Sequence, residues 1–200
     1  MKEKQAFTWR TEAIDKKCKY LLLGSFTSDG GADYYYYASS RNHFWYLLDT
    51  VLMRDISFDD DVSCKDIKDT IISKDGFAKL ITDLKNEPED KRDKKREEIH
   101  ERLLEHSFDI CDLFESVQVR NPKLNSDVNI IVEDSKISDL NKMLKGCNVE
   151  VIYCTSDYVY SLLKNKYPKL GNKAKILIAP TTGNRVKLIT KIDNWRKIIK

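Results

Sequence analysis

Four consecutive tyrosines, Tyr34 to Tyr37, run through Ala38-Ser39-Ser40 into Arg41-Asn42-His43-Phe44-Trp45. The stretch gathers flat rings, a guanidinium, a carboxamide and an imidazole. Successive side chains of an extended segment point to opposite sides, so four adjacent tyrosines cannot all face one core. The chemistry on offer is stacking against a flat ligand. The plainer alternative is an aromatic strand with half its rings packed. Upstream, the apolar run Tyr20 to Leu23 ends in Gly24-Ser25, where small side chains let backbone N–H groups approach a ligand. Far downstream, Arg185, Lys187, Lys191, Arg196, Lys197 and Lys200 face a single Asp193, a balance suited to phosphates.

The elements that must position these groups follow from four apolar runs: Tyr20 to Phe26, Phe108 to Phe114, Val149 to Cys154 and Ala174 to Ala179. Helical segments separate them. That alternation predicts βαβ units and an α/β fold, a three-layer α/β/α sandwich with a central, mainly parallel four-stranded sheet. Each run ends in a polar turn: Gly24 to Ser28, Glu115 to Ser126, Thr155 to Asp157, and Pro180 to Arg185. The carboxyl ends of parallel strands lie on one side, so these turns are expected to converge on one cleft.

Between the runs, Phe44, Trp45, Leu47, Leu48, Val51 and Leu52 recur at helical spacing within Asn42 to Met53. Asn86 to His106 reads as a solvated helix, with His100 and His106 at its surface. Ser156 is placed to cap a helix that Pro168 and Gly171 stop after Tyr167. Ile192, Trp195, Ile198 and Ile199 give a short closing helix.

Two hundred residues with 34% charged side chains and a net charge of +3 suit one domain, residues 1–200, without a dominant polyelectrolyte character. The acidic residues thicken between Asp55 and Asp75. Cys18, Cys64, Cys111, Cys147 and Cys154 lack metal-ligand spacing and an even count, which predicts reduced core thiols and no metal or iron–sulfur site. No apolar run has signal-peptide or membrane-spanning length, so the expectation is a cytoplasmic protein that does not engage a membrane. Phosphate-binding, dinucleotide-binding and HExxH motifs are missing, and no cofactor is expected.

Four segments in order, LLLGSFTS, YYYYASSRNHFW, DICDLFESVQVRNPKLNSDV and LIAPTTGNR, resemble motifs of the uracil-DNA glycosylase superfamily, nearest to its hypoxanthine-DNA glycosylase branch. The resemblance runs from Tyr20 to Trp195. Thr27 stands where that branch usually has Pro, Ala38-Ser39-Ser40 replaces a Gly-His-Pro-like segment, and Cys111 stands where Trp precedes the strand-end Asp. Asn125-Ser126 and Ala179-Pro180-Thr181-Thr182 depart similarly from the later motifs.

The resemblance implies a monofunctional DNA glycosylase that hydrolyses the N-glycosidic bond of a flipped hypoxanthine, uracil-type or modified pyrimidine base. A non-catalytic nucleic-acid-binding module of the same fold is the alternative. An enzyme of free nucleosides or nucleotides is a third reading. Asn42 takes the position of the family's catalytic Asn, where a carboxamide orients water through donor and acceptor. As a favoured N-cap residue it is equally suited to start the following helix. His43 could aid the departing base, and Asp29 and Asp33 are fallback carboxylates.

Gly24, Ser25, Phe26, Tyr35, Tyr36 and Asp112 would form the base pocket, with Tyr37 as readily a core residue. Asp112 accepts hydrogen bonds only and would favour a base presenting N–H; its other reading is a capping carboxylate. Arg120, Lys123, Ser156, Thr181, Thr182, Asn184 and Arg185 would meet DNA, single- or double-stranded, with the protein acting as a monomer.

Overall fold

The computed structural model describes residues 2–5, 14–26, 35–38, 42–53, 56–59, 61–120, 130–182 and 186–199. The chain divides into two compact units. A sheet unit comprises Met1–Tyr36 with Leu103–Ile178, and a helical unit comprises Tyr37–Arg102 with Ala179–Lys200.

The sheet unit is built on four parallel strands in the order β3-β2-β6-β7. These are β2 (Tyr20–Gly24), β3 (Phe108–Asp112), β6 (Val151–Cys154) and β7 (Lys175–Ile178). Leu21, Leu22 and Leu23 are all fully buried, as expected for a central parallel strand covered on both faces. All four apolar runs of the sequence are therefore strands. The register sets Gly24 opposite Asp112, and Leu23 between Cys111 and Cys154. Helix α6 (Asp157–Lys166) starts where the Ser156 Oγ accepts from Val159 N at 3.2 Å, and it buries Val159 and Leu163 against the sheet. Tyr167 ends it, and Pro168–Asn172 continues as a 3₁₀ turn.

A second sheet corrects the expectation of a polar turn over Glu115 to Ser126. Phe114–Val119 is strand β4, flanked antiparallel by β1 (Lys2–Gln5) and β5 (Ile130–Ile137). Its buried residues are Phe114, Val117 and Val119, a spacing that breaks period-two alternation. The cause is irregular pairing between Phe114 and Gln118. There the Ser135 hydroxyl accepts from Gln118 N at 3.0 Å and donates to Ile131 O at 2.6 Å.

The helical unit contains α1 (Phe44–Leu52), α2 (Cys64–Ile72), α3 (Phe77–Asn86), most of α4 (Arg92–Glu105) and α7 (Leu188–Ile198). Within α2, Ser63 Oγ accepts from Asp66 N and donates to the Asp66 carboxylate, a local start signal of the capping-box kind. For α3 the cap comes from another helix. Buried Asp49 of α1 accepts from Phe77 N at 2.8 Å and Ala78 N at 2.7 Å. Gly76 makes room for it: a Cβ there would lie 2.5 Å from Asp49 Oδ1.

His100 is buried rather than solvated, because it falls beside Ile99 and Leu103 on the inward stripe of α4; His106 is exposed as expected. Of the five free cysteines, Cys18, Cys111 and Cys154 are buried, but Cys64 is exposed at the start of α2. Among the described residues no helix is long and apolar enough to cross a membrane.

Candidate functional site

In the sheet unit, the residues proposed for a base pocket gather at the carboxyl ends of β2 and β3. Leu113 N donates to Gly24 O at 2.9 Å and Phe114 N to Ser25 O at 3.1 Å, so the chain leaving β3 is laced to the chain leaving β2. Ser25 and Phe26 are half-buried, and Phe26 packs against the core of this unit. Tyr35 is fully buried and Tyr36 nearly so, edge to face at 5.4 Å. Burial, followed by the charge of Asp112, pushes the Tyr36 phenol far up. It is a neutral O–H near a buried carboxylate. The two rings expected to stack on a ligand are thus mostly internal here.

The DNA contacts read from the sequence scatter. Arg120 is exposed, but it follows β4 and stands roughly 20 Å of strand beyond Asp112. Ser156 caps α6. Thr181 is exposed and Thr182 half-buried, while Lys123, Asn184 and Arg185 lie outside the described residues, as do Asp29 and Asp33. The C-terminal basic run is divided in use. Lys187 and Lys197 are exposed. Lys191 is 1% exposed, and Arg196 donates to the carbonyls of Thr50 and Ile56.

The helical unit holds the clearer site. Asn42 Oδ1 accepts from Phe44 N at 2.9 Å, so its side chain does open α1. This leaves the carboxamide N–H₂ as a donor. His43, the next residue, is buried; its backbone N–H reaches Thr182 O at 3.2 Å, and its Nδ1 lies 2.6 Å from Lys191 Nζ. An ammonium has no acceptor, so Nδ1 must accept and the ring proton belongs on Nε2. Burial, and then the charges of Lys191 and Lys68, lower the imidazole pKa to about 4. His43 is consequently a neutral N–H donor at pH 7.

Asn42 also lines a cavity of about 250 Å³ with Tyr37, Ala38, Trp45, Tyr46, Lys68, Ala78, Ile81, Thr82 and Lys85. Tyr37 is the member of the tyrosine run that reaches it. Its φ of 54° is left-handed, a conformation costing a bulky residue roughly 1–3 kcal/mol. Stacking on Phe44, with centroids 4.6 Å apart and planes 22° apart, helps hold it. Lys68 Nζ sits 5.3 Å from the centre of the Tyr46 ring.

Sequence reasoning missed Lys68, Lys85 and Lys191. The two cavity lysines are ordinary members of charged helices, and only the packing of α1, α2 and α3 reveals their common wall. The 3.6-residue spacing of Leu188, Lys191, Ile192 and Trp195 did mark Lys191 as inward.

A four-stranded parallel sheet with α-helical connections defines the class: a mixed α/β protein, as the sequence predicts. No family model and no curated protein matches the chain. Among solved structures, a candidate uracil DNA glycosylase of Methanosarcina acetivorans, determined in solution by NMR, matches with a TM-score of 0.58 at 17% identity. The match covers 98% of this chain and 96% of that one. The two proteins share a fold.

Proposed function

We propose that this protein is a monofunctional DNA glycosylase, hydrolysing the N-glycosidic bond of a deaminated or otherwise modified base to leave an abasic site. The observation that carries the proposal is Asn42 in the wall of a ring-lined cavity, in a chain whose fold is that of a candidate uracil DNA glycosylase over nearly its full length. Base–aromatic stacking contributes about 1–3 kcal/mol per base, enough to offset much of the cost of unstacking a nucleotide. In this proposal the Asn42 carboxamide places a water for attack on the anomeric carbon. A placed water suffices when bond breaking runs ahead of attack, because the oxocarbenium-like sugar is itself strongly electrophilic.

His43, neutral with Nε2–H available, would donate to the departing base, and Asp112 would accept from a base N–H. The hypoxanthine branch fits an acceptor-only carboxylate, since hypoxanthine presents a ring N–H. Thr181, Thr182 and Arg185 would meet the DNA backbone. One observation favours the non-catalytic module instead: the Asn42 oxygen is engaged at Phe44 N, as a purely structural cap would be.

Asn42→Ala separates the two readings. A water-placing role predicts base release slowed about 10²–10³-fold with DNA affinity nearly unchanged. Equal single-turnover rates in variant and wild type would remove Asn42 from the chemistry. The lost cap costs about 1 kcal/mol of stability, so both proteins are to be compared well below their melting temperatures.

A further inference from the structure

The cavity of the helical unit has a chemical character that base excision does not explain. Two cations, Lys68 of α2 and Lys85 of α3, share its wall with Tyr37, Trp45 and Tyr46. Both lysines are half-buried. Among the described residues neither makes an ion pair with a carboxylate. Like charges held close and partly out of water repel one another, and an anion bound between them relieves that repulsion. Burial and the charge of Lys68 lower the Lys85 pKa, as such crowding requires.

We propose that this cavity is a binding site for a nucleotide, Lys68 and Lys85 holding its phosphate and the aromatic wall taking the attached ring. Size and lining restrict the occupant. A volume of about 250 Å³ exceeds the roughly 150 Å³ of cavities that take benzene, but falls below the range typical of drug-sized ligands. It fits one ring system with a phosphate at the rim, and excludes a dinucleotide cofactor. Ala78, Ile81 and Thr82 of α3 supply a mainly apolar floor. A phosphate alone would leave this floor and the rings unused, and an apolar ligand would leave two ammonium groups unneutralised. The same chemistry is presented by a free nucleoside monophosphate and by one residue of a DNA strand. Binding here stands independently of base release.

The test is calorimetric titration of the full chain with inorganic phosphate, dTMP, AMP and a ten-residue oligothymidylate. Wild type is expected to bind the mononucleotides at least tenfold tighter than phosphate, and Lys68→Ala and Lys85→Ala each to weaken them by tenfold or more. Phosphate binding as tightly as dTMP would overturn the role of the rings. Affinities unchanged in both lysine variants would overturn the site. Tighter binding of the oligonucleotide than of dTMP identifies a strand as the source of the nucleotide, and parity identifies the free monophosphate; either supports the site.

Folding is controlled by melting, because removing one of two repelling cations should leave Tm unchanged or raised. Saturating dTMP should raise the Tm of wild type and not of the double lysine variant. A double variant stabilised as much as wild type contradicts the proposal. Lysine-dependent binding without base release would refute the glycosylase function and leave this site intact, whereas base release without nucleotide binding would do the reverse.

Discussion

The sheet unit and the helical unit bury polar groups in different ways. In the sheet unit the buried polarity is neutral or locally satisfied by backbone: Asp109 accepts from Asp15 N and Ile110 N, Ser138 N donates to Leu113 O, and Tyr167 donates to Ser138 O. These contacts lace loops to strands and leave little free chemistry. The helical unit instead buries a carboxylate, Asp49, and an imidazole–ammonium pair, His43 with Lys191, and it carries the cavity and a tyrosine with left-handed backbone. Buried groups with displaced pKa values and locally strained backbone concentrate where proteins act. The contrast assigns scaffolding to the parallel sheet and places the most distinctive chemistry on the helices.

The largest effect expected of breaking this contrast is at Asp49. Asp49→Ala leaves the buried N–H groups of Phe77 and Ala78 without their acceptor, which costs about 3 kcal/mol. For a chain of this length that is a fall in Tm of roughly 6–12 °C, readable by calorimetry. A fall under 2 °C would show that water replaces the carboxylate and that the cap is dispensable.

A finer test uses pH, because the two buried titrating groups of the helical unit have opposite signs. The His43 pKa drops from 6.5 to about 4 on folding, so its contribution is present above pH 6.5 and lost as pH falls through 4. Burial raises the Asp49 carboxyl from 3.8 to about 7, so its contribution is present below pH 3.8 and lost as pH rises through 7. Between pH 4 and 6.5 the two slopes oppose each other. His43→Gln should make stability fall with rising pH in this window, and Asp49→Asn should make it rise, each by up to about 1.4 kcal/mol per pH unit. Urea unfolding at pH 4.5, 5.5 and 6.5 reads the slopes; the same sign in both variants refutes the assignment.

How much of this was legible in the sequence follows the same division. The strands of the parallel sheet were, because Leu21 to Leu23 and Ile152 to Cys154 are covered on both faces and read as unbroken apolar runs. Helix α6 was legible to its caps, Ser156 and Tyr167. Strand β4 was not, since its irregular pairing destroys the alternation that reveals a half-buried strand. Helix α2 buries only Ile67 and Ile71, too little for a periodic signal within an acidic stretch. At the candidate site, the tyrosine run and Asn42 pointed to the right neighbourhood, but sequence could not say which ring turns where. Tyr37, not Tyr35, meets the cavity because a left-handed residue redirects the chain there. The cationic wall was invisible because Lys68 and Lys85 belong to different helices.

The smallest effect expected is chemical labelling. Cys64 is the exposed thiol, whereas burial pushes Cys18 and Cys154 up to about 12 and Cys111 well above its usual range. A thiol reagent should modify Cys64 in the native protein fastest, with Cys64→Ser removing that phase and leaving stability unchanged within about 0.5 kcal/mol. Equal labelling rates at Cys64 and Cys111 would contradict the burial of β3.

The most direct test of the central claim is base release from single- and double-stranded DNAs carrying hypoxanthine, uracil, xanthine or modified cytosines, with alkali cleavage revealing abasic sites. Release of a free base from at least one substrate, abolished in Asn42→Ala, is the predicted result. Intact DNA binding with no base released from any of them would contradict a glycosylase and leave a nucleic-acid-binding module of the same fold.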